Sequence, residues 1–544
     1  MSRWLSISLA MVGAGVAMLV AAGFAEPATV SATADAPKGG TLRIMSPDEL
    51  DHVDPALAYL TDAWMVEYAT CAKLFNHPDE SGAAGLRVVP EVVRSYTVSP
   101  NGRTYTFELE KTYRFHTGAR VTAQSFADAI NRLAQPKLGS PATNYLREIV
   151  GAANVIDGKA QSVSGVRVLG RYRLQVRLSK PVGDFVTRLA MPFFCPILPD
   201  TPVDPAGIDN PPGSGPYYVA ERVDNHRTVL ERNPFYRGDR PANVDRIVWT
   251  PGVTLDACLQ AVEDDRADFC GGAGAPPTAY RALGERYAVN EAGGRLFVKQ
   301  TPAIWFLAFN HNRPAFRGAG QIPLKKAINY AIDRPAMARA FGYLAGKRTD
   351  QMLPPGLARP TGIYPLGGAN PAAAQDWYAK ARLKPRTLVV YAWALPSVVT
   401  VAQVLAFNLK QLGIDVELKY FEPRTAVTKA LNPDEPFDIA ISAWGADYWD
   451  GAAFFIPLLA PGGSANAVHG DDPDIRRRIA AADRLTGEAR RQAWADLDVD
   501  LMRDDPPWAP FMHSNDRTLV SRSLGCFVQH PLYRVDIVAV CKKR

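Results

Sequence analysis

The sequence has no dense block of Lys or Arg and, beyond its first 25 residues, no second long apolar run. Its 61 basic residues nearly balance its 55 acidic ones, so the net charge of +6 is small for 544 residues. Nucleic-acid-binding proteins usually concentrate basic charge on one face, and multi-span transporters need several apolar stretches of about 20 residues. Neither class fits this chain, whose length predicts a globular protein of two or three domains.

Motifs that carry catalysis or hold a metal are also missing. The sequence has no GxSxG nucleophile elbow, no HExxH helix and no phosphate-binding loop of the Walker type. Its eight histidines are scattered without the spacing of metal ligands, and no CxxC pair occurs. We therefore expect no enzyme, no metal site and no cofactor.

The N-terminal segment is typical of an export signal. Arg3 precedes a long apolar run that ends in small residues. This layout predicts a signal peptide over residues 1–25, cleaved after Ala25, and a flexible linker over residues 26–37. An uncleaved membrane anchor is the alternative, because the apolar run is long. No cysteine lies near its end, so the sequence does not predict a lipoprotein, and we expect a periplasmic or other extracytoplasmic location.

Six cysteines are present, an even number that permits disulfides in an exported chain. Six cysteines can pair in about fifteen ways, and spacing alone does not choose among them. Two pairs are local in sequence and the third takes the cysteines that then remain: Cys258 with Cys270, Cys526 with Cys541, and Cys71 with Cys195. The alternative, that some of the six are buried free thiols, stays open at this point.

Apolar and polar residues alternate in the first half of the chain, which predicts strands in TYTFELEKT and RYRLQVRLSKP. In the second half, the strand patterns TLVVYAW, IDVELKYF and FDIAISAW alternate with the helix patterns SVVTVAQVLAFNLKQLG and RTAVTKAL. Ser397 is expected to cap the first of these helices and Gly413 to end it. Such alternation predicts an α/β fold with a largely parallel sheet in this half.

An acidic and aromatic cluster follows the last of these strands. In AWGADYWD, Asp447 and Asp450 lie among Trp444, Tyr448 and Trp449. Open α/β sheets bind ligands at the carboxyl ends of their strands, and a carboxylate walled by aromatic rings suits an ammonium group. Two acids this close in sequence do not show the separation that glycoside hydrolysis needs. The pattern favours a cation-binding site, and capping of the next turn by Asp447 is the structural alternative.

Several stretches, in order, resemble the dipeptide- and oligopeptide-binding class (family 5) of extracellular solute-binding proteins that serve ABC importers. They are KGGTLRI with DHVDPALAY, VVPEVVRSYTVSPNGRTYTFELEKTYRFHTGARVTAQSFADAI, GSGPYYVAERVDNHRTVLERNPFYRG, WFLAFNHNRPAF, LKKAINYAIDR, LKQLGIDVELKYF, FDIAISAWGADYWDGAAFF and DDPPWAPFM. Together they span nearly all of the chain after the leader. The resemblance implies a monomeric receptor that binds a small peptide, delivers it to a membrane permease and binds no nucleic acid.

The resemblance also implies an α/β fold of the periplasmic-binding-protein type (class II, or cluster C), with two lobes that close on the ligand. Lobe I would comprise residues 38–81, 206–307 and 513–544. An extra subdomain, residues 82–205, would be inserted in lobe I, and lobe II would comprise residues 308–512.

The same resemblance implies a role for the aromatic cluster. In oligopeptide-binding members of the family, the Asp of a W-x-A-D-Y motif pairs with the α-ammonium of the ligand, and here that position is Asp447. Ala443 and Gly445 would bond to the peptide backbone. Trp444 and Tyr448 would shape the pocket.

The sequence departs from the family pattern after this motif. Members often continue with Tyr-Pro-Asp-Pro, whereas DYWDGAAFF has Trp449 and no proline, which changes the wall of the cleft. Asp450 is expected to support the site without contacting the ligand. No motif fixes the basic residue for a ligand carboxylate, and Arg424 and Lys429 are the candidates. The family also includes receptors for oligosaccharides, opines and metal chelates, which stay alternatives to peptides; a secreted hydrolase is the alternative from another class.

Overall fold

The computed structural model describes residues 36–272 and 274–543, so the predicted signal peptide and residues 26–35 of the predicted linker lie outside it. Up to residue 309 the strands are β1 (Thr41–Met45), β2 (Phe75–Asn76), β3 (Val89–Pro90), β4 (Val93–Val98), β5 (Thr104–Leu109), β6 (Val166–Gly170), β7 (Arg173–Arg177), β8 (Tyr217–Val223), β9 (Arg227–Arg232), β10 (Arg246–Thr250), β11 (Phe269–Cys270) and β12 (Leu296–Phe309). The helices of this part are α1 (Thr61–Thr70), α2 (Ala123–Leu133), α3 (Thr143–Leu146), α4 (Ala152–Ile156), α5 (Phe185–Arg188), α6 (Leu255–Glu263) and α7 (Tyr280–Tyr287).

The remaining chain contributes more helix. Its helices are α8 (Ile322–Ala331), α9 (Arg334–Arg339), α10 (Pro371–Ala379), α11 (Pro396–Lys410), α12 (Pro423–Leu431), α13 (Ala452–Leu459), α14 (Pro473–Asp483) and α15 (Gly487–Asp504). Its strands are β13 (Gly346–Arg348), β14 (Thr387–Trp393), β15 (Asp415–Phe421), β16 (Ile439–Gly445), β17 (Trp508–Leu519), β18 (Leu524–Gly525), β19 (Gln529–His530), β20 (Arg534–Val535) and β21 (Cys541–Lys542). Among the residues described, no helix is long and apolar enough to cross a membrane.

Two sheets form from the first part of the chain. Sheet A has the order β11–β1–β10–β9–β8, with parallel pairing of β1 to β11 and β10 and antiparallel pairing from β10 to β8. Sheet B has the order β4–β5–β7–β6 and is antiparallel throughout. The strands predicted from alternation are confirmed, because Phe107, Leu109, Leu174 and Val176 are buried on one face of sheet B. Both sheets contribute to one apolar core.

Sheet C, from the second part, has the order β13–β17–β12–β16–β14–β15. The predicted strands TLVVYAW, IDVELKYF and FDIAISAW correspond to β14, β15 and β16. These three are parallel to one another, but β12, β13 and β17 join them in antiparallel pairs. The prediction of a largely parallel sheet was therefore wrong. Strand–helix alternation correctly predicted the three local strands, but it carries no information on partners that enter from distant parts of the chain.

The start of α11 also differs from the prediction. Ser397 does not cap the helix; α11 begins one residue earlier, at Pro396, and Leu395 occupies the cap position. Proline fits this first position because an N–H there would have no partner within the helix, so nothing is lost by its absence. The end is confirmed: Gly413 follows with φ of +76°, and its N–H donates to the carbonyl of Lys410 at 2.9 Å.

Two long strands connect the two parts of the fold. β12 and β17 pair from Leu296 with Leu519 to Ala308 with Trp508, and the register is interrupted between Gln300 and Ile304. Only the part of β12 from Ala303 onwards pairs with β16. Such an interruption is a point where a strand pair bends most easily. The limits of the lobes remain a prediction.

All six cysteines are paired as predicted. Cys71 bonds to Cys195, Cys258 to Cys270 and Cys526 to Cys541, with Cα–Cα distances of 5.7, 6.0 and 5.3 Å. The alternative of buried free thiols is excluded. The first disulfide joins α1 to the segment that follows sheet B, across 124 residues.

Loop length predicts how much each disulfide stabilises the fold. Replacing both cysteines of the 71–195 pair by Ala should lower the free energy of unfolding by about 5 kcal/mol. A disulfide that closes a long loop restricts the unfolded chain most, so its removal raises the entropy of the unfolded chain most. The same change at 258–270, which are 12 residues apart, should cost about 3 kcal/mol. Urea unfolding of the two double variants measures this difference. Equal losses would contradict the entropic account.

Candidate functional site

The site is built at the end of β16. One edge of this strand pairs with β12 along its whole length, from Ile439 opposite Phe309 to Gly445 opposite Ala303. The other edge pairs with β14 only at Ile439 and Ala440. In the part of the chain that the structure describes, no strand covers that edge further on. Gly445 is exposed, and a Cβ placed on it would meet nothing closer than 4.0 Å. The strand thus presents open backbone at its carboxyl end.

Asp447, two residues after the strand, is 8% exposed. Two tyrosine hydroxyls from distant parts of the chain donate to its Oδ2 atom: Tyr145, and Tyr59 at 3.4 Å. The Tyr145 ring also packs edge-on against Tyr448, with ring centroids 6.0 Å apart. Tyr59 is itself 39% exposed, so this group of side chains lies at the solvent boundary.

The carboxyl group of Asp447 has no ion-pair partner among the described residues. Burial raises its pKa to about 6, although the hydrogen bonds from Tyr145 and Tyr59 act in the opposite direction. A buried carboxylate without a cation is unfavourable unless a charge of opposite sign reaches it. The arrangement therefore suits a cationic group supplied from outside the chain, with aromatic rings around it.

The three aromatic residues of the motif have separate roles in packing. The Trp444 indole N–H donates to the carbonyl of Ala453 at 2.8 Å, which fixes its ring against α13. The Tyr448 hydroxyl donates to Asp184 at 2.6 Å. Trp449 packs over Gly356, where an added Cβ would lie 3.1 Å from the ring.

Asp450 is occupied by a partner within the chain. Arg490 on α15 binds it through two hydrogen bonds, of 2.8 and 2.9 Å, in a bidentate pair. The Asp450 Oδ1 atom also accepts the N–H of Ala452 at 2.8 Å. The two acids of the motif therefore differ in kind: Asp450 is neutralised internally, whereas Asp447 is not.

Arg490 also joins two distant parts of the chain. Its guanidinium lies 3.3 Å from Asp184, which in turn pairs with Arg188 at 3.0 Å. Nearby, Lys180 pairs with Asp483 at 3.0 Å. Segment 180–188 belongs to the part predicted as the inserted subdomain, and Asp483 and Arg490 to the part predicted as lobe II. Buried charges thus hold the two parts together beside Asp447.

Replacing Arg490 tests the importance of this cluster. Arg490→Leu leaves Asp184 and Asp450 buried with fewer partners, and the free energy of unfolding should fall by about 3–5 kcal/mol. Arg503→Leu is the matched control, because Arg503 is exposed and its ion pairs within the described chain are with its neighbours Asp500 and Asp504. Urea unfolding should show little change in the control. A similarly small change in the free energy of unfolding for both variants would contradict the stabilising role assigned to Arg490.

The two basic candidates for a ligand carboxylate lie on α12. Lys429 is already paired with Glu435 at 2.6 Å, and Glu435 also accepts the hydroxyl of Tyr391 at 2.7 Å. Arg424 is exposed at the start of the same helix. Neither contacts Asp447 directly. No group of three or more metal-binding side chains occurs within the residues that the structure describes.

Sequence reasoning missed most of the residues that surround Asp447. Tyr59 could have been proposed from the sequence, because it ends the stretch DHVDPALAY that carries the family resemblance. Tyr145, Asp184 and Arg490 gave no signal, since each is far from Asp447 in sequence and lies outside any motif. Only the folded chain brings them to the site.

The ionisation of Asp447 predicts how binding of a cation depends on pH. Affinity for a cation that keeps its charge should level off about one pH unit above 6 and fall towards tenfold per pH unit well below pH 6, because protons compete with the cation for the carboxylate. Tyr145→Phe removes a hydrogen bond that lowers this pKa, so the decline should begin at higher pH. Calorimetric titration at several pH values measures both curves. Tyr96→Phe, at an exposed ring outside the site, is the control. If Tyr145→Phe left the pH midpoint of the affinity curve unchanged, the hydrogen bond from Tyr145 would not control the pKa of Asp447.

Comparison with known proteins agrees with this fold. The family described as bacterial extracellular solute-binding proteins, family 5, matches residues 87–466. The chain therefore belongs to the family 5 extracellular solute-binding proteins. This is a family of receptors and not of enzymes, which excludes the secreted hydrolase.

Known relatives match along most of the chain. The periplasmic oligopeptide-binding protein OppA of Haemophilus influenzae is 24% identical over 455 residues, 77% of this chain and 79% of the relative. The periplasmic murein peptide-binding protein MppA of Escherichia coli is 24% identical over 508 residues, 89% of this chain and 90% of the relative.

Solved structures share the two-lobed fold. An oligopeptide-binding protein of clavulanic acid biosynthesis has a TM-score of 0.85 at 24% identity, with 93% of this chain and 96% of that chain covered. The protein AgaA, solved with agropinic acid, has a TM-score of 0.73 at 18% identity, with 93% of this chain and 99% of that chain covered. At these identities the likeness establishes the fold alone.

Proposed function

We propose that this protein captures peptides outside the cytoplasm and delivers them to the permease of an ABC importer. The observation that carries the proposal is Asp447, a buried carboxylate with no cationic partner among the described residues, at the end of a strand whose edge is open. The α-ammonium of a peptide supplies the missing positive charge. The names of the relatives support the peptide class, since OppA and MppA are both named for peptide binding.

The peptide backbone would add to the open edge of β16. Strand addition gives affinity through main-chain hydrogen bonds that do not depend on the peptide sequence. Ala443 and Gly445 lie on this stretch, and the exposed Gly445 leaves room for a second backbone. Trp444 and Trp449, which are partly exposed, would form the walls, and Tyr448, which is 2% exposed, would support them from the core.

Delivery follows from export and closure. Residues 1–25 would act as a signal peptide, and the mature chain would work as a periplasmic monomer. The lobes would close about the β12–β17 pair, where the register is interrupted, and bring Tyr59 and Tyr145 against Asp447. In this scheme the closed receptor is the form that the permease recognises.

Asp447→Asn tests the ammonium site. The variant keeps the shape of the side chain and removes its charge, so a free-amine peptide should bind at least about tenfold more weakly. An N-acetylated copy of the same peptide should bind wild type and variant equally weakly. Isothermal titration calorimetry with Ala-rich pentapeptides measures these affinities. Asp376→Asn, at an exposed carboxyl on α10, is the matched control and should bind as wild type does.

Two outcomes would overturn the proposal. Equal affinity of wild type and Asp447→Asn for the free-amine peptide would remove Asp447 from the site. Equal affinity of wild type for the free and the acetylated peptide would exclude recognition of an ammonium group. The second result would redirect the search to oligosaccharides, opines or metal chelates.

A further inference from the structure

A cavity lies beside the open edge of β16, where β14 and β16 separate. Its volume is about 40 Å³, and we name it the fork cavity. It is lined by Tyr391 and Trp393 of β14, Ala426 and Val427 of α12, and Ile441 and Ala443 of β16, among others. Pairing of the two strands stops at Tyr391 and Ala440, so the cavity begins where their backbones part.

The lining of the fork cavity is apolar. None of its fourteen lining residues, all within the described chain, carries a charge; hydroxyls come only from Tyr391 and Ser442. The Tyr391 hydroxyl is already bonded to Glu435 at 2.7 Å, and Glu435 is neutralised by Lys429. An ionic group placed here would lose its hydration without gaining a partner. The cavity therefore suits an apolar group.

The fork cavity and Asp447 lie along the same strand end. Ala443 lines the cavity and is four residues before Asp447. An extended chain covers at most about 3.3–3.6 Å per residue, so the two positions are no more than roughly 14 Å apart. A peptide anchored by its ammonium at Asp447 spans this distance with its first four residues.

We propose that the fork cavity selects an apolar side chain at one fixed position among the first four residues of the peptide. The inference rests on the proposed peptide-binding function and narrows its substrate class to peptides with an aliphatic residue of about the size of Leu there, because a cavity of about 40 Å³ has room for about three water-sized groups. Because the cavity holds no cation, the C-terminal carboxylate of the peptide does not bind in it. The ligand therefore extends past the cavity or ends outside it.

A peptide series tests this selectivity. Pentapeptides of Ala with a free amine receive Leu, Asp or Lys at each of the first four positions, and calorimetry gives the affinities. At one position Leu should bind about 10- to 100-fold more tightly than Asp or Lys, as expected for burial of its side chain. At the other three positions the differences in affinity among the Leu, Asp and Lys peptides should be smaller.

A variant links the preference to the cavity. Val427→Asp places a carboxylate at the cavity wall, and Val427 is 42% exposed, so the change does not disturb the core. The preference for Leu at the selected position should fall by about tenfold. Thr428→Asp, at the exposed neighbouring residue on the same helix, should leave it unchanged. Circular dichroism confirms that both variants fold.

The outcomes separate this inference from the proposed function. If the free amine is required but no position prefers Leu over Asp and Lys, the selective cavity is wrong and the peptide receptor stands. If Leu is preferred but Val427→Asp acts no more strongly than Thr428→Asp, the preference arises elsewhere and the inference is overturned. If binding does not depend on the amine, the proposed function fails and the inference fails with it.

Discussion

The interaction on which the account depends is the one that Asp447 lacks. Its carboxyl group is buried, accepts two tyrosine hydroxyls and has no cation among the described residues. Burying a carboxylate in this state destabilises the folded protein, and a cationic ligand would offset that loss. The contrast with Asp450, three residues later and fully paired with Arg490, shows that the fold can neutralise an acid here.

The same place joins the two parts of the protein. Tyr59 and Tyr145 reach Asp447 from the first part of the chain, and Asp184 reaches both Tyr448 and Arg490. A ligand at Asp447 would therefore contact both lobes at once, which is the condition for closure driven by binding. In the proposed function, the open edge of β16 would bind the backbone of the ligand, and the fork cavity beside it would hold one of its side chains.

Much of the fold could be predicted from the sequence because its signals are local. The strands predicted in TYTFELEKT and IDVELKYF are confirmed, and so are the three cysteine pairs. The antiparallel half of sheet C could not be predicted, because strand pairing is set by packing between distant segments. For the same reason Tyr145 and Arg490 were missed: their partners are fixed by the tertiary fold. Asp447 could be selected as a candidate because a motif and a strand end coincide in the sequence.

The most direct test of the central claim is the pKa of Asp447 in the free protein and in the complex, measured by carbon NMR of labelled aspartate side chains. The free protein should show a pKa of about 6. Saturation with a free-amine pentapeptide should lower this pKa clearly, because the ammonium stabilises the ionised carboxylate. A pKa that stays near 6 while the peptide is bound would contradict the claim that Asp447 holds the ammonium.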